Sequence, residues 1–131
     1  MYQELFVYRV PENRADDFER VVGQAIEVFR RHGALGGELV RVTDDTDKFG
    51  CRSMGNALGI GGDEVLYVEV SYFHDKAHHE RVSASTDADP EVVDLFEVLV
   101  KTVDIQHVAR SEFSSAVRSV DHAAMAAHAS I

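Results

Sequence analysis

Apolar and polar positions alternate in short runs separated by two longer stretches with helical spacing. The most informative run is Glu64 to Phe73. It reads as a strand in which Leu66, Val68, Val70 and Tyr72 point to one side and Val65, Tyr67, Glu69, Ser71 and Phe73 to the other. The first side is uniformly apolar, as expected beneath a helix. The second is apolar but carries a carboxylate and a hydroxyl, which suits a partner sheet or a ligand cleft. Tyr2 to Val10 repeats the pattern, with Phe6, Tyr8 and Val10 against Leu5 and Val7.

Between these strands Phe18, Val22, Ala25 and Phe29, with Val21 and Ile26 alongside, fall on one face of a helix. Asn13 is placed to cap its start, Asp16, Asp17 and Glu19 crowd its first turns, Arg30 and Arg31 close it, and Gly33 supplies the left-handed exit. Glu38 to Thr43 alternates as a short strand. From Asp44 to Asp63 no period is visible and glycine stands at 50, 55, 59, 61 and 62. A loop of that length reads as a lid over a cleft or as an extended hairpin against a partner subunit. After the central strand, Asp75 caps a helix reaching roughly Ser85. Asp89-Pro90 opens another, with Val93, Phe96, Val100 and Val103 at helical spacing. Ile105 to Phe113 forms the last strand. Ser114 to Ile131 is rich in Ala and His with weak amphipathicity, and reads as a frayed helix or tail.

Strand-helix-strand occurring twice, with right-handed crossovers, predicts an α+β, ferredoxin-like βαββαβ domain over residues 1–114, followed by a tail at 115–131. Its four-stranded antiparallel sheet carries the helices on one face, and the first and third strands are central. The face opposite the helices then requires cover, and a homodimer formed through that face supplies it.

The charge of −10, from 13 basic and 23 acidic residues, disfavours nucleic acid as a partner. No apolar segment approaches the roughly 20 residues a membrane helix needs. The single cysteine, Cys51, excludes an internal disulfide and fits a reducing compartment. A soluble cytoplasmic protein is expected.

The run Val28-Phe29-Arg30-Arg31-His32-Gly33-Ala34-Leu35, the loop opening Asp44-Asp45-Thr46-Asp47, the passage from Val70 through Asp75-Lys76-Ala77-His78, and Asp87-Ala88-Asp89-Pro90 together resemble the YbaA-like family of uncharacterised bacterial proteins. The resemblance covers about residues 4 to 114. It implies a dimeric α+β barrel in which two ferredoxin-like sheets face one another. The wider group includes cofactor-free monooxygenases, small isomerases and haem-degrading or haem-peroxidising enzymes, whereas this branch has no established activity. One departure stands out. Leu99 to Ile105 replaces the Met-Pro-Phe-Asp-Gly-Lys-Arg-Met stretch that leads into the family's last strand.

Candidate ligand-binding residues are Glu69, Arg41, Tyr67, Ser71 and His107. A carboxylate on a central strand must be paired or neutralised if its face is covered. Glu69 is therefore either a salt-bridge partner of Arg41 across the ladder or a base of shifted pKa in a cleft. Tyr67 and Ser71 share its face. His107 exchanges protons near neutrality if its strand turns it to the cleft. His74, His78 and His79 read as solvated residues at a helix start, because no nearby carboxylate completes a metal triad. The glycine-rich 55–62 stretch lacks the Lys-Ser/Thr of a phosphate loop, and Asp45 and Asp47 lack the later ligands of a calcium loop. No metal or cofactor is expected, and no catalytic residue is assignable. The readings left are a protein binding a small molecule in the cleft between sheet and helices, and a cofactor-independent monooxygenase or isomerase acting on a small aromatic-type substrate.

Overall fold

A computed structural model describes residues 1–120; the rest of the predicted tail, 121–131, lies outside the described residues. The chain runs β1 (Tyr2–Pro11), a 3-10 turn (Glu12–Arg14), α1 (Ala15–Arg31), β2 (Gly36–Arg41), α2 (Met54–Leu58), β3 (Glu64–Phe73), α3 (Lys76–Asp87), α4 (Pro90–Thr102), a second 3-10 turn (Ile105–His107) and β4 (Ala109–Ser114). The strands form one antiparallel sheet in the order β2-β3-β1-β4, so β1 and β3 are central as expected. Pairing of β1 with β3 is continuous from Tyr2 opposite Phe73 to Pro11 opposite Glu64.

The two faces of β3 are the reverse of the sequence expectation. Tyr67, Glu69, Ser71 and Phe73 are buried, with Tyr67 packed among Phe18, Val21 and Val22 of α1, and Phe73 with Val82 of α3. Val68, Val70 and Tyr72 are only half-buried on the open face, beside Leu5 and Val7 of β1 and Val40 of β2. Aromatic volume decides the matter. Tyr8, Phe18 and Tyr67 interlock at ring separations of 4.8 and 4.9 Å, filling the layer between sheet and helix better than a row of valines would. Two of the polar groups on that face are hydrogen-bonded, Glu69 accepting from the Tyr8 hydroxyl and Tyr67 donating to Glu19.

Helix α1 buries Phe18, Val21, Val22 and Val28, and Gly33 leaves it at φ 112°. Asn13 does not cap it. The chain makes a 3-10 turn first, and Arg14 occupies the cap position without a side-chain bond. Asp75 and Asp89 do cap α3 and α4, accepting from the amides of His78 and Glu91, and Pro90 occupies the first turn of α4. On α4 the inward stripe is Val92, Leu95 and Leu99, whereas Val93, Phe96 and Val100 of the expected stripe are half exposed.

The 44–63 segment is not structureless. Asp45 Oδ1 accepts from the Gly55 amide at 2.8 Å, Asp47 Oδ1 from the Ser53 amide at 2.7 Å, and Ser53 caps the short α2, which ends in left-handed Gly59. The aspartates that open like a calcium loop thus serve backbone amides at the start of α2. Arg9, on the same face of the sheet as Leu66, donates to the Gly59 carbonyl at 2.9 Å and ties the segment to the side away from α1, α3 and α4.

Candidate functional site

A cavity of about 220 Å³ lies between the helix-facing side of the sheet and helices α1 and α4. Phe6, Val22, Phe29, Leu95, Phe96 and Leu99 supply apolar wall, and Ile105, which opens the second 3-10 turn, and Val108, which follows it, close one side. Glu69 and Tyr8 bring the polar atoms in from the sheet, and the exposed Asp87 stands at the rim. The β1–β3 register sets Phe6 opposite Glu69 and Tyr8 opposite Tyr67, so Tyr8 reaches Glu69 on the diagonal. Its hydroxyl donates to Glu69 Oε1 at 2.7 Å.

Glu69 is 6% exposed, and among the described residues no cation forms an ion pair with it. Burial raises its pKa to about 7; the Tyr8 hydrogen bond opposes the rise, and the negative charge of Glu4 adds to it. Tyr8 is itself held far above the ordinary phenol range, first by burial and then by the neighbouring carboxylate, so it remains a donor. Near neutrality the pair therefore presents a carboxyl that accepts hydrogen bonds when ionised and donates one when protonated.

The other sequence candidates fall elsewhere. Arg41 does not pair with Glu69, because the β2–β3 register sets it opposite Tyr67 and puts Leu39 opposite Glu69. Its guanidinium instead lies 3.5 Å from Glu19 of α1 and donates to the Tyr67 hydroxyl at 3.3 Å. Tyr67 in turn donates to Glu19 at 2.5 Å, and burial followed by that carboxylate moves its pKa up to about 12. This triad sits outside the cavity lining. Ser71 is buried opposite Glu4, also away from the lining. His107 is not on a strand. It ends the second 3-10 turn, half exposed, with Nδ1 3.6 Å from Asp104, because Asp104 caps that turn and delays β4 until Ala109. Of the five candidates, only Glu69 lines the cavity.

Residues 44–63 contribute nothing to its wall, so the loop is not a lid over this cleft. Tyr8 and the α4 residues Leu95 and Leu99 also line the cavity, although nothing in their sequence positions singles them out as site residues. Tyr8 was legible as apolar-face material, but its partnership with Glu69 depends on the register. His79 departs from the solvated reading: it is 5% exposed and packs edge-on against Phe73 at 4.7 Å. His74 remains exposed and His78 partly so.

An antiparallel four-stranded sheet with its long helices on one face and a cavity between the layers defines an α+β protein of ferredoxin-like architecture, shared with three solved structures. A NIPSNAP domain protein from Burkholderia xenovorans superposes with a TM-score of 0.58 at 15% identity, over 92% of this chain and 100% of that one. A protein from Nitrosomonas europaea whose name proposes an antibiotic biosynthesis monooxygenase gives 0.61 at 8% identity, over 89% and 100%. A NIPSNAP family protein of unknown function from Agrobacterium tumefaciens gives 0.54 at 18% identity, over 91% of each chain. Residues 1–101 match the family described as protein of unknown function DUF1428, and the chain belongs to that family. No curated protein matches the sequence. Among the described residues, no helix is long and apolar enough to cross a membrane.

Proposed function

We propose that this protein, a YbaA-like member of its family, binds a compact and largely apolar small molecule in the cavity between the sheet and helices α1 and α4, with Glu69 and Tyr8 gripping its single polar group. The observation that carries this reading is the cavity of about 220 Å³ whose apolar walls converge on one buried carboxyl. A dry apolar cavity of ~150 Å³ admits benzene, so the volume suits one substituted ring. The test is an NMR titration of the labelled protein with phenol, indole and cyclohexanol. Saturable shifts at Phe6, Leu95 and Leu99, lost when Leu99→Trp fills the space, are expected; shifts confined to the outer surface, or unaltered binding by the variant, overturn the reading.

A second reading, a cofactor-independent monooxygenase or isomerase, is favoured by the position of the Glu69 pKa near 7, where a general base is most effective. The name of the Nitrosomonas neighbour is consistent with it. Deuterium exchange into the α-carbons of cyclohexanone, catalysed by the wild type and abolished in Glu69→Gln, supports this reading. Equal rates eliminate it.

The working unit in this proposal is a cytoplasmic homodimer. Leu5, Val7, Val40, Val68, Val70, Tyr72 and Phe113 share the face opposite the helices, and Val40 and Phe113 are 42% and 49% exposed. A second copy covers such a face, and the 44–63 segment, tied to the same side through Arg9, then packs against the partner.

A further inference from the structure

At the opposite end of the sheet from the Gly59–Arg9 contact, three ligand-bearing side chains from three elements meet beneath α3. Glu4 of β1 and Glu112 of β4 are directly opposed in the antiparallel register, and His79 descends on them from α3. Glu4 and His79 are 6% and 5% exposed. One oxygen of each carboxylate and a ring nitrogen of His79 lie within 4.8 Å of one another. Among the described residues, His79 Nδ1 is buried without a hydrogen-bond partner, 3.4 Å from Glu112 Oε1. Nε2 is 3.5 Å from Glu4 Oε1 and 3.4 Å from the Ser83 hydroxyl.

We propose that Glu4, His79 and Glu112 form a binding site for a divalent first-row transition cation such as Zn²⁺ or Mn²⁺. Two carboxylates and one imidazole are a donor set these ions accept, and an unpartnered buried nitrogen is costly unless something fills its lone pair. The surrounding bonds orient the ligands as an outer shell does. Arg110 holds the far oxygens, donating from Nε to Glu4 Oε2 at 2.7 Å and from its terminal nitrogen to Glu112 Oε2, which leaves Oε1 of each turned toward His79. The Tyr2 hydroxyl donates to Glu112 Oε1 at 2.6 Å, and the Tyr2 and Phe73 rings flank the imidazole at 5.6 and 4.7 Å. Glu4, Glu112 and Arg110 together carry a formal charge of one negative, which offsets part of the charge of a divalent ion. Glu112 and Arg110 are partly exposed at the edge strand and provide the entry path. This site is separate from the Glu69 cavity, whose lining contains none of these ligands.

Calorimetric titration of the full chain with ZnCl₂, and separately with MnCl₂, tests the proposal. One saturable site per chain is expected. His79→Ala and Glu112→Gln should each weaken binding by at least about tenfold, and Tyr2→Phe, which removes only the outer hydrogen bond, by about tenfold. His74→Ala/His78→Ala should leave it unchanged. Mn²⁺ should selectively broaden the NMR signals of Tyr2, His79 and Ser83 in the wild type, a readout that needs no variant. Absence of saturable binding, undiminished affinity in the folded Glu112→Gln protein, or broadening centred on His74 and His78 would overturn the assignment.

Discussion

The Tyr8 hydroxyl stands 2.7 Å from Glu69 Oε1 across the central strand pair, and this bond is the buried polar feature of a largely apolar cavity wall. A phenol that donates to a carboxylate favours the ionised form, whereas the surrounding burial favours the neutral one. Burial prevails, leaving the pKa at about 7 rather than in the ordinary range.

Stability should therefore decline as pH rises. The folded-state pKa of Glu69, about 7, exceeds its ordinary value of 4.5, so between these values the folded protein holds a proton the unfolded chain releases. The stabilisation is complete below about pH 4.5 and is lost on passing pH 7, amounting to roughly 3 kcal/mol at most. Urea melts at pH 5 and 8 should show this fall in the wild type and a much smaller one in Glu69→Gln. An equal slope in both proteins would assign the dependence to other groups.

Removing the phenol isolates its share. In Tyr8→Phe the Glu69 pKa should rise further, since a hydrogen bond to the charged form is lost while burial persists. The side-chain carboxyl carbon shift of Glu69, followed by NMR against pH, reads this directly; an unchanged or lower midpoint would contradict the geometry.

Arg41→Ala should cost less than about 1 kcal/mol. Its ion pair with Glu19 is 47% exposed on both sides, in the range where solvent screening leaves little net gain. A loss of several kcal/mol in a denaturant melt would mean that Arg41 compensates a buried carboxylate after all.

Light scattering should report a dimer at micromolar concentration, and Val68→Glu should dissociate it without unfolding, because that side chain lies on the open sheet face. A monomeric wild type would leave the apolar face without this explanation.

Asp47→Ala should accelerate hydrogen exchange at Ser53 to Asn56, whose local order rests on bonds to Asp47 and Ser53, while fragment binding in the cavity is unaltered. Coupled loss of binding would restore the lid.

Much of the fold is decided locally and was legible in residue order. The period-two runs of β1 and β3, the stripe Phe18, Val21 and Val22, the caps Asp75 and Asp89, Pro90 and the Gly33 exit each depend on neighbours a few positions away. That four strands and helices must then form a ferredoxin-like sheet follows from connection handedness. Which face of β3 the helices cover was not legible, since both faces are apolar and the outcome depends on how Tyr8, Phe18 and Tyr67 fill one shared layer. The same holds for pairings. Arg41 and Glu69 lie on neighbouring strands, but a two-residue offset in register sends one to Glu19 and the other to Tyr8. Glu4, His79 and Glu112 are separated by long stretches of chain and carry no motif. Only strand pairing and the descent of α3 bring their atoms together, because proximity across a sheet is set by hydrogen-bond register and layer packing, quantities that no local pattern contains.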